Sequence, residues 1–95
     1  MTPLRPVEKG ARLALVGIRA LVAVSAVPPS LRHAGAIHLL VQGAGVPGAS
    51  AARILGVSKQ YVSKACSQIE ARRVLDADLE AAFDAVELQL FPDEE

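Results

Sequence analysis

Gly56 stands between two runs of helical pattern, two residues ahead of a serine, and that punctuation constrains the fold more than any other feature of the chain. Before it, a short helix is expected from about Ala49 to Leu55, built of small residues with Ile54 and Leu55 as packing groups. A residue at such a junction often takes a left-handed backbone, which costs a side chain with a Cβ roughly 1–2 kcal/mol and costs glycine little. Val57 then plugs the space between two helices, and Ser58 is placed to cap the second. That second helix is expected from about Lys59 to Leu75. Its apolar stripe is Val62, Ala65, Cys66 and Ile69, and its other face shows Lys59, Gln60, Ser63, Lys64 and Ser67. The stretch 48–73 is thus a helix, a tight turn and a helix.

The remaining segments follow the same period. Residues 1–7, with Pro3 and Pro6, predict a flexible arm in which Arg5 can meet phosphate. From about Glu8 to Ala26 a helix is expected that is buried around most of its girth. Leu13, Val16, Ala20 and Val24 recur at helical spacing, flanked by Leu15, Ile18, Leu21 and Val22, and Glu8, Arg12 and Arg19 share a narrow polar stripe. A membrane span does not fit, because the apolar run is short and Arg19 interrupts it. A secretory signal peptide is the stronger rival for this segment, with Arg5, Lys9 and Arg12 as basic region and Val24-Ser25-Ala26 as cleavage site; Arg19 again breaks it. Pro28 and Pro29 end that helix, and Ser30 is the expected cap of the next, from about Leu31 to Gln42. Leu31, Ala34, Ile37 and Val41 form its inner face, and Gly43 and Gly45 stop it. A last helix is expected from about Asp78 to Leu90, started by Asp76, Asp78 and Glu80 and seamed by Leu79, Phe83, Val86 and Leu90.

Composition sharpens the fold class. Over half of the 95 residues are apolar but only 3% are aromatic, so the core must be Leu, Val, Ile and Ala, the materials of packed helices. A small core of small side chains often needs a second subunit to complete it. The zero net charge hides a division. Residues 1–73 hold all ten Lys and Arg against two acids, Glu8 and Glu70, a net +8; residues 74–95 hold the other eight acids and no base. A basic body suited to a polyanion, with an acidic end, is the natural inference. One cysteine, Cys66, excludes an internal disulfide and points to a reducing compartment, and its place beside the apolar stripe makes it a core residue. His33 and His38 stand alone, in capping or core roles. No zinc spacing, nucleophile–base pair, carboxylate pair or phosphate loop is visible, so neither enzyme activity nor a cofactor or metal is expected.

Helix, turn and helix in this form let one element rest across a phosphate backbone while the next enters the major groove of DNA. Ala51 and Ala52 allow close approach, and Leu55, Val57, Val62 and Ala65 hold the angle. Lys59 and Lys64 can donate to phosphate or guanine, and Gln60 suits an adenine edge. Ser50, Ser58, Ser63 and Ser67 are short donors, Tyr61 can stack on the sugar-phosphate edge, and Arg72 and Arg73 are placed for phosphate anchoring.

The run from Gly45 to Ala65 resembles the helix-turn-helix of TrfB/KorA-type repressors of broad-host-range plasmids, at Gly45, Pro47, Ala49, Ala52, Leu55, Gly56, Val62, Ser63 and Ala65. The resemblance covers about thirty of the 95 residues. It implies a small dimeric repressor on a palindromic operator, with Lys59, Gln60, Ser63 and Lys64 carrying base and phosphate contacts. Outside the motif the chain departs from that family. The N-terminal helix is far more apolar, and the C-terminal region is an acidic helix without strand character.

The expected protein is all-α, a bundle of about five helices. A DNA-binding body spans residues 1–75 with the helix-turn-helix at 48–73. An acidic amphipathic helix at 76–91 dimerises through Leu79, Phe83, Val86 and Leu90 or, in the alternative, folds back on the chain's own N-terminal helix, and a disordered tail covers 92–95. The expected function is transcriptional repression in a bacterial cytoplasm. Double-stranded operator DNA and a second copy are the partners, a co-repressor protein is admitted as a third, and no membrane is involved. The alternative is a protein-interaction module, such as an antitoxin or a phage adaptor, using the same bundle without DNA.

Overall fold

The computed structural model describes residues 6–92, with side-chain surroundings from residue 8 onward; the expected N-terminal arm with Arg5 and the end of the acidic tail lie outside the described residues. Five α-helices occur in order: α1 Pro6–Ala23, α2 Arg32–His38, α3 Gly48–Leu55, α4 Lys59–Leu75 and α5 Ala77–Leu90. There is no strand among the described residues, and the chain is all-α as its composition requires.

The ends of the helices have local causes. α1 closes when Ser25 Oγ donates to the Val22 carbonyl at 2.7 Å and accepts from Val27 N–H at 3.1 Å. Ser30 does not cap the second helix. A 3₁₀ turn, Pro29–Leu31, leads into α2 instead, with no side-chain cap at either start, because the prolines already fix the backbone. After His38 the coil widens into a π-helical turn, Leu39–Gly43, marked by Ala44 N–H donating to Leu39 at 2.9 Å, and it stops at Gly45. Asp76 caps α5 by accepting from the N–H groups of Asp78 and Leu79, both at 3.1 Å.

α1 is buried along one side only, not around most of its girth as expected. Its inward residues are Ala11, Leu15, Ile18 and Val22, while Leu13, Val16 and Val24 are 75%, 64% and 82% exposed and Ala20 faces solvent with them. The helix is apolar on both sides, so periodicity alone cannot choose between them. Glu8 leaves the polar stripe on which its spacing places it. It is 2% exposed, its Oε1 3.0 Å from Arg53 Nη1, and that ion pair ties the start of α1 to α3.

α5 returns to the bundle. Leu79, Phe83 and Val86 are buried and Leu90 packs partly buried against the same core, which also holds Ile37, Leu39, Leu40 and Ile69. The stripe expected as a dimer seam is therefore the chain's own interior, because α1, α2 and α4 leave a groove that an apolar helix fills. The Phe83 ring comes so near α2 that a Cβ at Gly35 would lie 2.8 Å from its Cζ, so only glycine fits there without displacement.

Phe83→Ala is expected to cost about 3–5 kcal/mol of folding stability, a large part of what a domain of this size possesses. Urea unfolding at two protein concentrations measures it. A loss that depends on concentration would return Phe83 to an interface between copies.

Candidate nucleic-acid interface

The helix-turn-helix forms as its punctuation requires. At the end of α3, Val57 N–H donates to Ala52 at 3.0 Å and Gly56 N–H to Arg53 at 3.4 Å, the paired bonds of a Schellman stop, with Gly56 at φ 68°. Two residues later Ser58 Oγ accepts from Tyr61 N–H at 3.0 Å and starts α4. Ala51 and Ala52 are buried between α3 and its neighbours, and Val57 packs against the core from the turn. Small side chains in α3 are what allow α4 to lie so close behind it.

α4 is held inward by Val62, Ala65, Cys66 and Ile69, all buried. Burial pushes the Cys66 thiol up from its ordinary pKa, with Glu70 adding to the rise, so the group stays protonated and is core rather than nucleophile. On the opposite side Gln60, Ser63, Lys64, Ser67 and Ala71 are exposed, with Lys59 and Ser58 at the helix start. Tyr61 lies on the flank nearest α2, its ring centroid 6.1 Å from that of His33. The other flank borders a cleft lined by Gln42, Gly48, Lys59, Ser63 and Glu70, so a carboxylate lies there. Ser50 is half-buried in α3, and Arg72 is exposed near the C-terminal end of α4.

Arg73 departs from its expected place among the phosphate anchors. Only 14% of its side chain is exposed, and the guanidinium turns inward to α5. Nε donates to Glu80 Oε1 at 3.1 Å and Nη2 to Asp84 Oδ1 at 3.1 Å, while Glu87 Oε1 lies 2.7 Å from Nη2 outside hydrogen-bond direction. Its carbon centre stands 5.1 Å from the centroid of the Phe83 ring, and Nη1 is 3.2 Å from His38 Nε2. Burial works against the Arg73 charge, but its acidic partners on α5 outweigh that and leave its pKa raised. The Arg72-Arg73 pair is one of identical residues, and only the direction each takes around the helix separates them.

His38 is buried beneath this cluster, edge-on to Phe83 with centroids 5.8 Å apart. Desolvation lowers its pKa, the Arg73 charge lowers it further, and Glu70, Glu87 and Glu80 pull the other way without prevailing. Glu80 is lowered in turn, chiefly by the hydrogen bond from Arg73. Sequence reasoning places His38 in a core role but gives no sign of this network, since its members come from α2, α4 and α5.

No group of acids, histidines and cysteine able to hold a metal occurs among the described residues, and no helix there is long and apolar enough to cross a membrane. Compared with protein-family models, with curated proteins and with solved structures, the chain matches none.

Arg73→Ala should cost about 1–3 kcal/mol, discounted because its carboxylate partners are partly exposed, whereas Arg72→Ala should stay within about 0.5 kcal/mol. Chemical denaturation of both variants checks this, and equal losses would refute the division of roles. Stability should also fall in two steps on acidification. Below about pH 6.5 the unfolded chain protonates His38 while the folded chain resists, so stability drops there first. It drops again below about 4.5, as the lowered Glu80 carboxylate is finally protonated. His38→Gln should abolish the upper step, read from unfolding midpoints between pH 8 and 4.

Proposed function

We propose that this protein is a sequence-specific, double-stranded DNA-binding transcriptional repressor of plasmid or phage type, with α4 as the recognition helix. One observation carries the reading. α4 stands behind a Schellman turn at Gly56 and presents Lys59, Gln60, Ser63, Lys64 and Ser67 outward together, with Glu70, the one acid of this helix, at the edge of that face beside Lys59 and Ser63. Lysine, glutamine and serine are the donors that phosphate oxygens and major-groove base edges accept. The resemblance of residues 45–65 to TrfB/KorA-type repressors supports it, as does the charge of the body. Between Glu8 and Glu70 the chain has seven bases and no acid.

A palindromic operator calls for a homodimer, with two recognition helices roughly 34 Å apart to meet successive major grooves. A protomer of 42 × 32 × 22 Å is of a size for two abutting copies to span that distance. With the α5 seam internal, the exposed apolar stripe of Leu13 and Val16 on α1 with Val24 just beyond it is a surface offered to a second copy, while Val74, Leu75 and Leu88 are also exposed elsewhere. The same stripe is what favours the other reading, an interaction module in the manner of an antitoxin or phage adaptor.

Selection of bound sites from random duplex DNA, combined with footprinting, tests the function. A palindrome with half-sites about one helical turn apart is expected. Lys59→Ala with Lys64→Ala should weaken operator binding at least about tenfold, as loss of contacts worth 1–3 kcal/mol each requires. Unaltered affinity would remove α4 from the interface. For the dimer, Leu13→Gln with Val16→Thr should leave a folded monomer in sedimentation. A wild-type monomer at all concentrations would give the stripe to another protein.

A further inference from the structure

We infer that the protein has a second phosphate-binding surface, away from the helix-turn-helix, formed by Arg19 of α1 with Arg32 and His33 of α2. The inference rests on the proposed DNA binding and extends it to a part of the chain that no recognition helix includes.

These three side chains line one shallow depression of about 140 Å³, whose floor is Val22, Ala23 and Ala36. No carboxylate borders it. Arg32 is oriented rather than free: its Nε donates to the Val27 carbonyl at 3.1 Å, which leaves the two terminal nitrogens for an incoming anion. Arg19 is exposed and has no hydrogen-bond or ion-pair partner among the described residues. An arginine pair above an apolar floor, without an acid to neutralise it, is arranged for an external anion.

The depression adjoins the α2 flank of α4 through His33. His33 touches Tyr61, which sits about a quarter-turn around α4 from the outward Gln60, Lys64 and Ser67. A helix about 10–12 Å across fills a major groove about 12 Å wide, so its flanks meet the phosphates of the groove walls. Tyr61 would stand at one wall, and His33, Arg32 and Arg19 continue outward from it over the backbone. The opposite flank sets Glu70 beside Lys59 and lacks an arginine pair. The surface therefore clamps one strand and leaves the other to α4 and α3. Phosphate contacts of this kind fix orientation and carry no sequence information.

Salt titration of binding to the selected operator and to random duplex DNA tests the assignment, with circular dichroism to confirm folding. Each phosphate contact contributes about 0.9 to the slope of log affinity against log salt, so Arg19→Gln with Arg32→Gln should lower that slope by about 2 on both DNAs. Because Arg32 also supports the Val27 turn, Arg19→Gln alone serves as the second variant and should lower the slope by about 1. A charge-matched pair on the same helix, Lys9→Gln with Arg12→Gln, should change it far less. Equal slopes in wild type and variants, or equal losses in the control pair, overturn the inference while leaving DNA binding by α4 intact. Unchanged slopes would give the depression to an acidic protein segment. A wild-type protein that binds no duplex DNA overturns the proposed function and this surface with it.

Discussion

Three helices of this bundle meet at the Arg73 guanidinium. It leaves α4, lies over the Phe83 ring of α5, bonds to Glu80 and Asp84, and reaches His38 on α2. A charge so nearly enclosed is tolerated only because several acceptors surround it, and they come from an element that also supplies the largest core side chain. The arrangement fixes the long helix α4 at its C-terminal end, while the Schellman turn and the Ser58 cap fix its start. The outward face of α4 is a rigid surface because both ends are held. Under the proposed function, side chains on this face would gain from that rigidity, since ordering them on binding would otherwise cost affinity.

The same contact organises charge. α5 concentrates carboxylates, and three of them gather around Arg73 instead of approaching the outer face of α4. Glu8 is likewise buried against Arg53 at the far end of α1. What remains on the α2 flank of α4 is basic, running from Lys64 past Tyr61 and His33 to Arg32 and Arg19. Neutral overall composition is thus compatible with a strongly one-sided surface. Such a surface would attract a polyanion at low salt and lose it steeply as salt rises.

α1 has two apolar faces, and the bundle uses one. Leu15, Ile18 and Val22 go inward, and Leu13, Val16 and Val24 stay outside. A small domain with few aromatic residues has a modest core, and a second copy covering this stripe would add to it. In that arrangement stability would rise with protein concentration.

Local chemistry was legible in the sequence wherever neighbours along the chain set the outcome. Lys59–Leu75 is helical over the span expected, Gly56 takes the left-handed turn, and Ser58 and Asp76 cap as placed. All these depend on backbone geometry within a few residues. Composition determined the all-α class for a similar reason, since Ala and Leu favour helix and too few aromatics or β-branched alternations were present for a sheet. Tertiary structure decided the rest, because a helix that is apolar on two sides, or two adjacent arginines, can be divided between core and solvent only by what lies opposite. The groove between α1, α2 and α4 drew in Phe83, the carboxylates of α5 drew in Arg73, and Arg53 drew Glu8 out of water. Burial and long-range ion pairing are properties of partners distant in sequence, and no period along one helix encodes them.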